Sequence, residues 1–155
     1  MEKRKFKNIL LLMLVSFAVL NFVSATEVNL NATADATMRR NTTGSYNTAV
    51  GMYAGSNITS GTNNSALGYL ALGSNTNTGS YNTALGTQAL QANTTASYNT
   101  AVGYGAGYSN TTGRVDSLGF QAGYSNTTGA IVAIGRNTLY SNTTGVSNTA
   151  IGGSY

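Results

Sequence analysis

Asn82-Thr-Ala-Leu-Gly86 is a motif whose close variants recur along most of the chain, and this recurrence determines the predicted fold. Each variant ends on a glycine, and these glycines recur at nearly constant spacing: Gly51, Gly68, Gly86, Gly103, Gly119, Gly135 and Gly152. A small residue follows three positions later in the first six, as Ala89 follows Gly86, and turns such as Asn110-Thr-Thr-Gly113 separate the copies. A fixed period of this kind indicates one structural unit that is stacked on itself.

The unit has the pattern of a short strand between turns. In Thr83-Ala-Leu the side chains alternate as in a strand, and the following glycine ends or bends that strand. The stretch around Gln88-Ala89-Leu90 then predicts a second short strand, and the Asn-Thr-Thr-Gly segment predicts a turn, since Asn and Gly tolerate left-handed φ. The sequence therefore predicts an all-β fold, a parallel β-solenoid (β-roll) of about seven coils of roughly 16–18 residues. Coils about 4.8 Å apart would form a rod roughly 30–35 Å long.

Three columns of like residues follow from stacking these coils. The aliphatic residue before each glycine is predicted to point into the lumen as a core ladder: Val50, Leu67, Leu85, Val102, Leu118, Ile134 and Ile151. The alanine before it, as in Ala84, is predicted to form a flat neighbouring column. Stacked amides, each bonding the coils above and below, are predicted at Asn47, Asn64, Asn82, Asn99 and Asn148. Val115 and Ile131 take the place of Asn in two middle coils and interrupt this ladder.

The N-terminal segment, residues 1–25, predicts export. Lys3, Arg4, Lys5 and Lys7 precede an apolar run from Ile9 to Leu20, and Ala25 closes the segment with a small residue. This is the pattern of a secretory signal peptide, here predicted as an N-terminal signal helix over residues 1–25; an uncleaved anchor is the alternative. Residues 26–40 are then a lead-in that serves as a cap or donor strand, and residues 41–155 form the solenoid domain. The predicted location is secreted, extracellular or at the cell surface.

Composition argues against most enzyme classes. The chain of 155 residues has no His and no Cys, and it carries four acidic residues and a net charge of +4. We therefore predict no catalytic site, no metal site and no cofactor. Residues 26–155 carry a net charge of only +1, from scattered arginines, so nucleic acid is not a predicted partner. Contact with a membrane is predicted only through the export signal.

The Asn-Thr-Ala-Val-Gly motif, with Ala three residues on and an Asn-Thr-Thr-Gly turn, resembles the head repeats of trimeric autotransporter adhesins. It is also similar to repeats of secreted surface proteins and phage tail fibres. The resemblance covers residues 41–155 and is strongest at Asn47–Gly51, Asn82–Gly86 and Asn99–Gly103. It implies a β-roll, three rolls side by side as a homotrimer, and binding to a host surface, matrix or carbohydrate. The family repeat is shorter, and this sequence has neither a heptad stalk nor a membrane barrel after Tyr155.

Scarce aliphatic side chains predict a partner chain. Ile, Leu, Val and Phe make up about 15% of the sequence from residue 26 onward, less than an ordinary core needs. We therefore expect a non-enzymatic structural or adhesive solenoid that self-associates through flat Ala-rich faces. The alternative is an extracellular filament in which open solenoid ends stack end to end. An ice-binding protein is a minor alternative, since the threonine pairs are predicted in turns rather than on a strand face.

Two further residue sets have competing interpretations. Tyrosines recur near turns and strand ends, where they are either adhesive aromatics or packing groups between coils or chains: Tyr46, Tyr81, Tyr98, Tyr108, Tyr124 and Tyr140. Asn-x-Ser/Thr sequons are either glycan sites or the turns that the solenoid requires, the second being favoured: Asn31, Asn41, Asn57, Asn63, Asn93, Asn110, Asn126 and Asn142.

Overall fold

A computed structural model of the chain describes residues 28–29, 38, 40–73 and 76–153. These residues form one parallel sheet of eight strands that follow one another in chain order. The strands are β1 (Val28–Asn29), β2 (Thr48–Val50), β3 (Ser65–Leu67), β4 (Thr83–Leu85), β5 (Thr100–Val102), β6 (Val115–Leu118), β7 (Ile131–Ile134) and β8 (Asn148–Ile151). The predicted all-β solenoid is therefore present, with about six turns between β2 and β8. The predicted signal helix lies outside the described residues.

Every coil is stacked in register on the next. Ala66 of β3 pairs with Ala49 of β2 on one side and with Ala84 of β4 on the other, and the same register continues to Ala150 of β8. Backbone hydrogen bonds continue past the strand, as in Gly86 N–H to the Leu67 carbonyl at 2.8 Å. In the lead-in, Val28 of β1 pairs with Thr48, so the sheet extends into residues 26–40. No helix among the described residues is long and apolar enough to cross a membrane.

Each turn of the solenoid has one strand, and the predicted second strand around Gln88-Ala89-Leu90 is wrong. This stretch is a series of turns, with Gln88 at φ +60° and Leu90 at φ +50°. Left-handed backbone costs about 1–2 kcal/mol for a residue with a Cβ atom. The stacking offsets this cost, because Leu90 N–H donates to the Ala106 carbonyl of the next coil at 3.0 Å. The left-handed residues allow each short repeat to close as a narrow coil.

The lumen is filled by alanine, and the predicted core ladder is wrong in its direction. Ala84 is 1% exposed, whereas its neighbour Leu85 is 42% exposed. The same holds along the sheet: Leu67, Leu118, Ile134 and Ile151 are exposed, and Val50 and Val102 are half-buried. The opposite wall of the coil is also alanine, since Ala54, Ala71, Ala89, Ala106 and Ala122 are fully buried. Because methyl groups from both walls already fill the lumen, the larger aliphatic side chains lie outside.

Larger apolar residues of the strand enter the lumen opposite glycine. Val115 and Ile131 occupy the asparagine position of the strand and are buried. A Cβ atom on Gly107 would lie 3.1 Å from Val115 Cγ1, and one on Gly123 would lie 2.8 Å from Ile131 Cδ1. The corresponding position in two earlier coils holds a buried leucine, Leu72 or Leu90, opposite an asparagine. Val115 and Ile131 therefore interrupt the Asn ladder with apolar side chains that fill space beside Gly107 and Gly123.

Candidate functional site

The outer face of the sheet carries two parallel columns. Strand residues alternate between lumen and exterior, so the first and third residue of each Thr-Ala-Val-like triplet share the outer face. The first column consists mainly of hydroxyl residues: Thr48, Ser65, Thr83, Thr100, Asp116, Val132 and Thr149. The second column is the aliphatic series from Val50 to Ile151 that was predicted for the core. We call these two columns together the outer sheet face.

The outer sheet face is unusual because it belongs to a parallel sheet and yet exposes a column of aliphatic side chains. Parallel sheets are normally covered on both faces, and exposed contiguous apolar patches on soluble domains mark sites of interaction. With strands about 4.8 Å apart, the seven aliphatic residues extend over about 29 Å. Leu67, Leu85 and Leu118 keep 42–51% of their surface exposed in the single chain. The exposed aliphatic column can therefore be buried against a second apolar surface.

Among the described residues, Asp116 is the one charged member of the two columns, and Arg114 lies beside it. Arg114 Nη2 lies 4.0 Å from Asp116 Oδ2, and both side chains are exposed, so this contact adds little stability. The pair borders an open groove of about 380 Å³ that also includes Ile131, Val132 and Asn148. Within the described part of the chain, no three His, Cys, Asp or Glu residues come together as metal ligands. The groove thus offers one cation, one carboxylate and otherwise neutral groups.

The asparagine ladder is present from Asn47 to Asn99 and holds the strand starts together. Asn47 Oδ1 accepts hydrogen bonds from Asn64 N–H at 3.0 Å and from Asn64 Nδ2 at 3.1 Å. The series continues from Asn64 to Asn82 to Asn99, and it ends where Asn99 Oδ1 accepts from Val115 N–H at 2.7 Å. These four amides are at most 1% exposed, so they hold consecutive coils together inside the solenoid and are not available to a ligand. Asn148 is half-buried, and its Nδ2 donates to Asn142 Oδ1.

A second set of buried asparagines lies at the turns. The sequence predicts turns at these positions but not the burial of their asparagines. Asn126 Nδ2 donates to the Gly129 carbonyl at 2.8 Å, and Asn142 Nδ2 donates to Asn126 Oδ1 at 2.9 Å. Asn93, Asn110 and Asn126 are fully buried, so the folded chain does not present these sequons to a glycosyltransferase. Of the remaining sequons, Asn63 is exposed, Asn41, Asn57 and Asn142 are half-buried, and Asn31 is outside the described residues.

The tyrosines form stacks between consecutive coils. Tyr81 and Tyr98 are parallel, with ring centroids 5.0 Å apart. Tyr124 stacks between Tyr108 at 4.7 Å and Tyr140 at 5.1 Å. Binding of a sugar to an aromatic residue needs an open ring face, and stacking covers at least one face of each of these rings. Tyr46, which is 66% exposed, is the member of the predicted set that stacks on no ring of the described residues.

The three-ring stack also changes the acidity of its central member. Burial raises the pKa of the Tyr124 hydroxyl above its usual value of 10.0, and the neighbouring Tyr108 and Tyr140 hydroxyls raise it further. Each of these causes disfavours the phenolate, the first through lost hydration and the second through repulsion between like charges. Tyr124 therefore loses its proton at a higher pH than an isolated tyrosine does.

Comparison of the chain with protein-family models, with curated proteins and with solved structures gave no match. The repeat and the outer sheet face are therefore the basis for assigning a role. Of the predicted site residues, the structure brings the amides together as buried ladders and most of the tyrosines together as stacks. It places the predicted core residues on the outer sheet face, where they are exposed or half-buried.

Proposed function

We propose that this chain is a non-enzymatic structural or adhesive solenoid that binds further copies of itself through the outer sheet face. The observation that supports this proposal is the exposed aliphatic column that runs the length of the sheet. The sequence predicts self-association through the alanine column. Because that column is buried in the lumen, the aliphatic column on the opposite side of the same strands takes over this role.

Apolar burial is the driving force in this proposal. Covering the exposed half of a Leu or Ile side chain contributes about 1 kcal/mol. Threonine hydroxyls in the adjacent column keep the face hydrated in the single chain and form hydrogen bonds at the rim of an interface. We propose three copies side by side, since the repeat resembles those of trimeric adhesins, and a secreted or surface location, since residues 1–25 have the pattern of an export signal.

The test is the oligomeric state of paired variants. Leu85→Thr combined with Leu118→Thr removes about 2 kcal/mol per chain from the interface, which weakens association about 30-fold. Val146→Thr is the matched control, because Val146 is 67% exposed but lies before β8 and outside the outer sheet face. In sedimentation at micromolar concentration we expect trimers for the wild type and the control, and monomers with unchanged circular dichroism for the double variant. A wild-type monomer would contradict the proposal.

Electron microscopy separates this proposal from the filament alternative. Discrete particles about as long as one solenoid support association through the outer sheet face. Long fibres that persist in the Leu85→Thr and Leu118→Thr variant support end-to-end stacking, because that contact uses strand edges and not the face.

Ice binding is the second candidate, and one observation favours it. Thr48, Ser65, Thr83 and Thr100 form four consecutive hydroxyls on the outer sheet face, in register. The sequence predicts the threonine pairs in turns, and this regular column of hydroxyls on the strands strengthens the candidate. A flat array of hydroxyls and methyl groups can order surface water. Thermal hysteresis that is lost in Thr83→Lys would support it; an oligomer without hysteresis supports self-association, because both functions need the same face.

A further inference from the structure

The geometry of the tyrosine stacks points to a covalent modification site. We propose that Tyr81 and Tyr98 are the site of an oxidative cross-link within one chain, formed by a haem peroxidase with hydrogen peroxide. The product is a dityrosine that joins the coil of β4 to the coil of β5. This inference is independent of the function proposed above, because it concerns two residues of one chain and requires no second copy.

The two rings are held ready for coupling. Their planes differ by 1° and their centroids are 5.0 Å apart. The backbone of both residues is hydrogen-bonded to the preceding coil, because Tyr81 N–H donates to the Thr62 carbonyl at 2.9 Å and Tyr98 N–H donates to the Ser80 carbonyl at 3.0 Å. Tyr81 and Tyr98 have φ of +59° and +61°, so the two side chains leave equivalent positions of consecutive coils. Fixed proximity of this kind replaces a bimolecular encounter.

Formation of one cross-link consumes one molecule of hydrogen peroxide. The peroxidase removes one electron and one proton from each phenol, and these two electrons and two protons reduce hydrogen peroxide to two molecules of water. The resulting phenoxyl radicals form one carbon–carbon bond between ring carbons next to the hydroxyls. Each ring then restores its aromaticity by moving the hydrogen of that carbon to its oxygen. The chain loses two hydrogen atoms in total.

Exposure selects this pair among the ring contacts that the structure describes. Tyr81 is 52% exposed and Tyr98 is 62% exposed, so small oxidants and short-range electron transfer can reach both. The stack around Tyr124 is less exposed, and its central hydroxyl is harder to deprotonate for the reasons given above. Two other contacts lack the geometry or the chemistry: Tyr53 meets Tyr69 edge-on at 6.3 Å, and Tyr104 stacks on Phe120, which has no hydroxyl.

A covalent bond between coils would stabilise the fold of this chain. The sequence has no cysteine, so no disulfide can connect its coils. A Tyr81–Tyr98 bond closes a loop of one repeat and restricts the unfolded chain, as a disulfide does. We therefore expect the oxidised protein to unfold at a higher temperature than the untreated protein.

The experiment treats the full chain with horseradish peroxidase and hydrogen peroxide, then digests it for mass spectrometry. An equal mixture of ¹⁴N- and ¹⁵N-labelled chains distinguishes bonds within a chain from bonds between chains. We expect one dominant cross-linked peptide pair containing Tyr81 and Tyr98, lighter by two hydrogens and of a single isotope. Tyr98→Phe should remove this product while keeping the stacked ring and the fold. Tyr46→Phe, at an exposed but unstacked position, should leave its yield unchanged.

Three results would overturn the proposal. The first is dityrosine that joins ¹⁴N- to ¹⁵N-labelled chains at these residues. The second is an unchanged yield of dityrosine fluorescence in Tyr98→Phe. The third is oxidation of the folded chain without any Tyr81–Tyr98 product, with circular dichroism showing that the wild type and Tyr98→Phe have the same fold.

Discussion

Two neighbouring residues of β4 test which side of the strand faces the lumen. Ala84 is 1% exposed and points into the narrow lumen, whereas Leu85 is 42% exposed on the outer sheet face. Ala84→Val adds two methyl groups where alanines from both walls already meet, and such overpacking costs about 1–3 kcal/mol. Leu85→Ala removes a side chain that is only partly buried, and it should cost the single chain about 1 kcal/mol or less.

The opposite orientation would reverse this order. If Leu85 filled the lumen, Leu85→Ala would leave a cavity and cost about 2–5 kcal/mol, while Ala84→Val on the surface would be close to neutral. Urea unfolding followed by circular dichroism, at dilutions where sedimentation shows monomers, measures both free energies. A larger loss for Leu85→Ala than for Ala84→Val under these conditions would refute the lumen assignment. A midpoint for Leu85→Ala that depends on protein concentration would instead report the interface.

Three further predictions concern the backbone and pH. A Cβ atom on Gly86 (φ +132°) would lie 2.5 Å from the Gly103 carbonyl oxygen, so Gly86→Ala should lower the free energy of unfolding by about 2 kcal/mol or more; Gly152→Ala, with φ +147° and no atom within 4 Å, should cost less in the same urea titration. Gln88→Gly removes left-handed strain at φ +60°, so it should raise the free energy of unfolding by about 0.5–1 kcal/mol and raise the thermal midpoint. A lower midpoint would show that contacts of the Gln88 side chain stabilise the fold by more than the strain destabilises it. Because the pKa of Tyr124 is raised in the folded state, its contribution is complete below pH 10 and is lost as pH rises through the folded pKa; Tyr124→Phe should therefore be less sensitive to alkali than the wild type in unfolding at high pH.

The repeat period and the alternation could be read from the sequence, but the inner face could not be read from alternation alone. Thr83-Ala-Leu fixes a strand and separates Ala84 from Leu85, yet both are apolar and either could face inward. The signal that separates them is the second column of small residues, such as Ala89, three positions after each of the first six glycines. Two facing columns of alanine indicate a narrow lumen, in which each wall contributes one methyl group per coil at these positions.

Substitutions between coils also carried a signal for the buried amides. Ile58 occupies the position that Asn77 holds in the next coil, and the two pair through an isolated β-bridge, both fully buried. A position that accepts either isoleucine or asparagine is more readily buried than exposed, since isoleucine is usually buried and a buried amide is usually hydrogen-bonded, as where Asn77 Oδ1 accepts from Gly79 N–H at 2.8 Å. The left-handed conformations of Leu72 and Leu90 had no such signal, because leucine rarely adopts positive φ and only stacking makes it favourable.

The same narrowness of the coil links the fold to the proposed function. A solenoid whose lumen accepts mainly alanine can bury little apolar surface per coil, and methyl groups contribute little each. Leucine, isoleucine and valine at the third strand position cannot turn inward without displacing the opposite wall, so each added coil lengthens an apolar column on the outside. Within the part of the chain that the structure describes, Asp116 is the only charged residue in the two columns of this face. We infer that the larger aliphatic side chains complete the hydrophobic core between chains, and that the alanines complete it within each chain.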